Sequence, residues 1–320
     1  MIWLTWRQHR KQALYTAIGI AVLVALMLPT GLHMHSVFTG SGLAGCGSAA
    51  SRRPDCGELG QQFNNQFGSL GFVAILFMLL PLLVGLFFGA PLIAREVEDG
   101  THRLVWTQGV SRVRWAAVKF GLVGSVAVLL AVVYALGVTW WIAPLASAGA
   151  GRFAYGYFDV QGIVPIGYTL FALALGLFVG TVRPKVLPAM ALTLGGFTAV
   201  RLAVEMLARP HFMAPRTLTY AVTAVTSGPG ADRAAGDWVY AEGVRSAAGK
   251  LLVSDGQVGC SPGAATPGDL CSSLGPGAYN WEQYQPADRF WAFQGIETGI
   301  FLALAALLLW LAVRRIRRIA

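Results

Sequence analysis

Charge is what this sequence has least of: Asp, Glu, Lys and Arg together make up 12% of its 320 residues, while 55% of the side chains are hydrophobic. A soluble domain carries roughly 25% charged residues, so an ordinary globular enzyme in water is excluded. Also missing is the Gly-x-x-x-x-Gly-Lys-[Ser/Thr] loop that cradles nucleotide phosphates; the nearest pair, Gly249-Lys250, is followed by Leu251. ATP hydrolysis of the P-loop kind therefore does not belong to this chain. No His-Glu-x-x-His occurs, and no pair of aspartates falls within an apolar run, which argues against intramembrane hydrolysis. Cysteine is scarce as well, with four residues in all.

Apolar length is abundant. Crossing a hydrocarbon core of about 30 Å takes roughly 20 helical residues, and six stretches qualify: 13–32, 71–94, 116–142, 163–182, 187–207 and 290–313. They predict an all-α integral membrane protein with six transmembrane helices. The first run is too long for a secretory signal and lacks a small-x-small cleavage site, so it reads as a retained anchor. Before it, residues 1–12 mix Trp3 and Trp6 with Arg7, Arg10 and Lys11, the composition of a short helix in the membrane interface.

With a cytoplasmic N-terminus, fourteen Lys and Arg residues face inward, including Arg95, Arg103, Arg112, Arg114, Lys119, Arg183, Lys185 and the tail Arg314, Arg315, Arg317 and Arg318. Only Arg52, Arg53 and Arg152 fall in the first two outer loops, so the positive-inside rule is met with both termini cytoplasmic. Orientation, with a basic tail on anionic lipid, accounts for the net charge of +9; no nucleic acid is implied. Cys46, Cys56, Cys260 and Cys271 all fall in segments this topology puts outside, where disulfides form. The simplest pairing is Cys46 with Cys56 and Cys260 with Cys271, one of three connectivities. His33 and His35 have no third ligand nearby and read as interface residues, so no metal site is expected.

Pro81 and Pro91 interrupt the second span, as is tolerated where neighbouring groups satisfy the freed carbonyls. Gly85 and Gly89, and Gly176 and Gly180 in the fourth span, are small-xxx-small faces suited to close packing. The fourth and fifth spans are joined only through Arg183, Pro184 and Lys185, a tight hairpin. Residues 208–289 are far longer than an ordinary loop and predict an irregular extracellular domain held by one disulfide, with Trp238, Tyr240, Tyr279, Trp281 and Tyr284 available for a small core or for a surface that touches substrate. Residues 290–320 then form the sixth span and basic tail. Arg201 and Glu205, four residues apart in the fifth span, form either an intrahelical ion pair or part of a substrate pathway. No other charge is read as lying well inside a span, which argues against a proton-coupled carrier.

Residues 94–119 read AREVEDGTHRLVWTQGVSRVRWAAVK. Acids precede an apolar stripe and a Gly-Val-Ser-Arg turn, the pattern of a short amphipathic helix along the inner surface, with its N-terminal dipole facing the acids. The segment resembles the signature of type-2 ABC transporter permeases, in Glu96, Glu98, Gly100, Thr101, Ser111, Arg112 and Lys119. A Gln108-Gly109 pair stands where that family often has Thr-Pro. The resemblance extends to the six spans and the outer insertion before the last one. It implies a bacterial cell-membrane permease for export of an amphiphilic or hydrophobic compound such as a drug, peptide antibiotic or lipid. It also implies a second permease copy, as homodimer or heterodimer, and a separate ABC ATPase dimer carrying ATP and Mg, with no cofactor in this chain. The coupling segment, 95–115, would dock on that ATPase through Glu96, Glu98, Gly100, Thr101, Arg103 and Arg112. The alternative reading is a noncatalytic sensor or scaffold whose extracellular domain binds a ligand.

Overall fold

The computed structural model describes residues 2–47, 55–98, 100, 112–149, 151–222, 236–260 and 270–318. Among them six helices are long and apolar enough to cross a membrane: Ala17–Gly40, Leu70–Glu96, Ala117–Ala148, Val164–Val182, Val186–His211 and Ala287–Arg317. The chain is a multi-pass membrane protein, mostly helical. The first span is the apolar part of α1 (Ile2–Gly40), which runs without a break from the basic N-terminal segment. A short amphipathic helix, α2 (Cys56–Phe67), follows; it buries Phe63 and Phe67, and Phe63 meets Phe38 of α1 edge to face.

The second span is broken by its own residues into α3 (Leu70–Phe77), α4 (Leu80–Val84), a π-helical turn (Gly85–Gly89) and α5 (Ala90–Glu98). Pro81 cannot donate to the carbonyl four residues earlier. That carbonyl, Phe77, accepts instead from the Tyr134 hydroxyl at 2.9 Å, and the neighbouring Met78 carbonyl accepts from Arg201 Nη1 at 3.3 Å. Two carbonyls at this break, the first freed by the proline itself, thus tie the second span to the third and fifth. The third span lies in α6 (Arg112–Ala148), the fourth is α8 (Val164–Val182) after the single turn α7 (Tyr157–Val160), and the fifth begins as α9 (Val186–Ala203). The fifth widens into a π turn (Val204–Ala208) and tightens to a 3₁₀ turn (Arg209–His211).

α8 is the centre of the bundle and is buried along most of its length. Its glycines permit this. A Cβ on Gly176 would fall 2.5 Å from the Gly85 carbonyl oxygen, and one on Gly85 would fall 2.5 Å from that of Ala172. Gly89 and Gly180 border the same seam, so the two small faces recognisable in the sequence meet each other.

The insertion corrects the all-α expectation. It holds a four-stranded antiparallel sheet, β1 (Arg216–Ala221), β2 (Trp238–Arg245), β3 (Leu251–Ser254) and β4 (Tyr279–Gln285), in the order β1-β4-β2-β3. Its strands are short and rich in β-branched and aromatic residues, but Gly- and Pro-rich connections mask their alternation in the sequence. Its core is aliphatic, Val222, Val244, Leu274 and Ala278 beside Cys260, rather than the expected aromatics. Trp238, the first residue of β2, instead turns its side chain to stack on Phe153 and meet Phe293 of α11 (Phe290–Arg318), the helix of the sixth span. The short helix α10 (Leu270–Ser273) carries Cys271. Disulfides join Cys46 to Cys56 and Cys260 to Cys271, with Cα atoms 5.7 and 5.8 Å apart. Both lie at the same end of the bundle, hereafter the disulfide end.

Candidate functional site

At the disulfide end, α7 and the start of α8 are pinned by one side chain of the sixth span. Gln294 Oε1 accepts from the Ile163 and Val164 amides at 3.0 and 2.9 Å, while its Nε2 donates to the Phe158 carbonyl at 2.9 Å. These bonds satisfy amides that a helix start leaves unpaired. Gly162 makes the approach possible: its φ is +69° and a Cβ there would lie 2.6 Å from Gln294 Oε1.

The pinned turn directs Asp159 inward, where it is 1% exposed, into a polar cluster assembled by four elements. Arg209, at the end of the fifth span, donates Nη2 to Asp159 Oδ1 at 2.5 Å and to Glu297 Oε1 at 2.8 Å, and Nε to Glu297 Oε2 at 2.8 Å. Tyr168 of α8 places its hydroxyl 2.9 Å from Asp159 Oδ1 and 2.5 Å from Glu297 Oε1. Arg201 lies over the Tyr168 ring, 4.8 Å from its centroid, with Nη2 3.4 Å from Asp159 Oδ2. Burial acts to raise the Asp159 pKa, but the charges of Arg209 and Arg201 and the hydrogen bonds from Arg209 and Tyr168 outweigh it, and the carboxyl is held below its usual value.

Arg201 and Glu205 both belong to this cluster, though among the described residues their close ionic partners are other side chains. Arg201 faces Asp159, and Glu205 sits 3.8 Å from Arg209, four residues on. Glu205 lies within the π turn Val204–Ala208, and its i,i+4 partner is Arg209 rather than Arg201. Asp159, Tyr168, Arg209 and Glu297 were not foreseen. The reading that no further charge lies well inside a span is corrected by Glu297, which stands inside the sixth span and is 1% exposed. Its signal was legible, one carboxylate in an otherwise apolar run. Asp159 and Arg209 gave none, because both flank spans where charges are ordinary.

The opposite end of the bundle carries Glu96 and Glu98, the acids of the segment expected to couple to an ATPase. Glu96, near the end of α5, is ion-paired with Lys119 of α6, whose ammonium also lies 4.9 Å from the Trp115 ring centroid. Glu98 Oε2 accepts from the Val186 amide at 3.0 Å, at the first turn of α9, where the helix dipole favours an anion. Arg315 Nε donates to the Thr181 carbonyl at 3.1 Å near the end of α8. Gly100 is exposed with φ +70°, a conformation that favours glycine. Thr101, Arg103 and Ser111 lie outside the described residues, and Arg112 opens α6.

Between the first three spans lies a cavity of about 360 Å³, lined by side chains such as Ile20, Met27, Leu80, Val84 and Phe88. Its two polar lining residues turn their hydroxyls to backbone, Tyr134 to Phe77 and Thr169 to Pro165, so the wall offers an apolar surface. His35 stacks on Trp140 and bonds its carbonyl at 2.9 Å, and His33 packs edge-on against Phe67. The string Gly259-Cys260-Ser261-Pro262-Gly263 has the spacing of a nucleophile elbow. Its context differs from that strand-to-helix turn: β3 ends at Ser254, and Cys260 is disulfide-bonded; residues 261–269 lie outside the described residues. A family model described as ABC-2 membrane transporter related matches residues 17–209. No curated protein and no solved structure matches the chain.

Proposed function

Because the chain belongs to the ABC-2 membrane transporter related family, we propose that it is the permease subunit of an ATP-driven exporter and that residues 95–115 form its coupling element. A permease of this family works with an ABC ATPase subunit. In our reading two ATPase chains bind ATP and Mg, two permease copies form the membrane path, and both termini face the cytoplasm of a bacterial cell.

The observation that carries the reading is the pair of ties at the end of α5. Glu96 holds α6 and Glu98 holds the start of α9, so a load applied to the segment that follows α5 reaches the second, third and fifth spans together. Transmission through a rigid charged element into attached helices is a recognised mode of switching. The Pro81 break and the two π turns supply places where those spans can bend. The apolar cavity supports an amphiphilic or hydrophobic substrate, whose apolar part it would shelter, and Arg201 and Glu205 lie toward the exit end of such a path.

The test is site-directed crosslinking. Arg103→Cys, combined with a cysteine in the docking groove of a candidate partner ABC ATPase, should crosslink on oxidation, and ATP should change the yield. Absence of any crosslink across several groove positions, in a complex shown to be assembled, would overturn the assignment.

A further inference from the structure

Three oxygens crowd one guanidinium nitrogen in the buried cluster. Arg209 Nη2 lies 2.5 Å from Asp159 Oδ1, 2.8 Å from Glu297 Oε1 and 3.2 Å from Tyr168 Oη. The oxygens also approach one another, Tyr168 Oη being 2.9 Å from Asp159 Oδ1 and 2.5 Å from Glu297 Oε1. A phenol has one hydrogen to give, and an ionised carboxylate has none. The two hydrogens on Nη2 are taken by the carboxylates. With both acids ionised, one of the two oxygen–oxygen contacts would therefore set lone pairs against each other with no hydrogen between them.

The charge balance makes the same demand. Asp159 from α7, Glu205 from the fifth span and Glu297 from α11 face Arg201 and Arg209 from the fifth span. Tyr168 comes from α8, and the nearby Tyr134 of α6 spends its hydroxyl on the Phe77 carbonyl. Three carboxylates against two guanidinium groups leave one negative charge in surroundings where an uncompensated charge is costly.

We propose that the cluster is a proton-binding site that holds one additional proton between Glu297 and Tyr168 at neutral pH. Glu297 then donates to Tyr168 Oη and the Tyr168 hydroxyl donates to Asp159, so each oxygen–oxygen contact carries a hydrogen and the cluster is neutral. Asp159 is the carboxylate that stays ionised, because it faces both guanidinium groups. Glu205 sits at the margin, 3.8 Å from Arg209. The proton therefore locks the sixth span to the fourth, and its release leaves a net charge at their junction. This assignment does not depend on the transport reading.

Infrared spectroscopy of the full-length protein in nanodiscs at neutral pH tests it. A protonated-carboxyl carbonyl band that shifts in deuterium oxide should appear in the wild type, persist in Glu205→Gln and vanish in Glu297→Gln. Glutamine at 297 keeps a donor for Tyr168 and an acceptor for Arg209, so the variant should fold. A wild-type spectrum without the band overturns the proposal however the variants behave, as does a band untouched by Glu297→Gln.

Discussion

Arg209 grips Glu297 at two points, Nε to Oε2 and Nη2 to Oε1, both at 2.8 Å, and so fastens the end of the fifth span to the sixth inside the bundle. A two-point contact from a guanidinium fork fixes geometry as well as adding strength. The same guanidinium pairs with the buried Asp159 carboxylate, and removing one partner of a buried ion pair leaves the other uncompensated and costs about 3–5 kcal/mol. Arg209→Ala should accordingly lower unfolding stability by that order, measured by denaturant titration in detergent, while Arg209→Lys should lose part of it because the fork is gone.

Acid should weaken the same cluster from the opposite direction. The carboxyl of Asp159 is held below the usual aspartate value by the two guanidinium groups it faces. Its contribution is therefore fully present above about pH 4, the range where an unfolded aspartate ionises, and is lost as the pH falls through the lower folded-state value. Melting temperatures of the wild type should drop over that acid range, and Asp159→Asn, less stable at neutral pH, should show a shallower drop.

At the seam between the second and fourth spans, a side chain on Gly176 meets backbone at 2.5 Å. Gly176→Val should cost about 1–3 kcal/mol by overpacking, read as a lower melting temperature. Gly195→Val, at a position where an added Cβ meets nothing within 4 Å, is the control and should change little.

How far the sequence reveals this molecule depends on the scale of the signal. The six spans are legible because a run of about twenty consecutive apolar residues matches the thickness of a bilayer and is rare in water-soluble chains. The disulfide pairs are legible because sequence neighbours in one loop are the simplest partners. The sheet was hidden, since strands such as β3 (Leu251–Ser254) are only a turn's length and sit among Gly and Pro. Half of the buried cluster was hidden for a different reason. Arg201 and Glu205 announce themselves by lying in an apolar run, but Asp159, the partner of Arg201, comes from an inter-span turn, and only the tertiary fold brings it within reach.

Orientation is open to a chemical check. With the disulfide end outside, an impermeant thiol reagent should leave Cys46, Cys56, Cys260 and Cys271 unlabelled on intact cells and should label them after an impermeant reductant is added. Labelling that requires cell lysis would reverse the topology.

The most direct test of the central claim is copurification of the wild-type chain and a Glu96→Ala, Glu98→Ala double variant with a candidate partner ABC ATPase, followed by ATPase assay. The wild type should retain the ATPase and alter its turnover. The double variant, inserted and folded, should lose the complex or lose the alteration by about tenfold, the effect of roughly 1.4 kcal/mol. A double variant that binds and stimulates the ATPase like the wild type would contradict the coupling role of α5 and the segment beyond it.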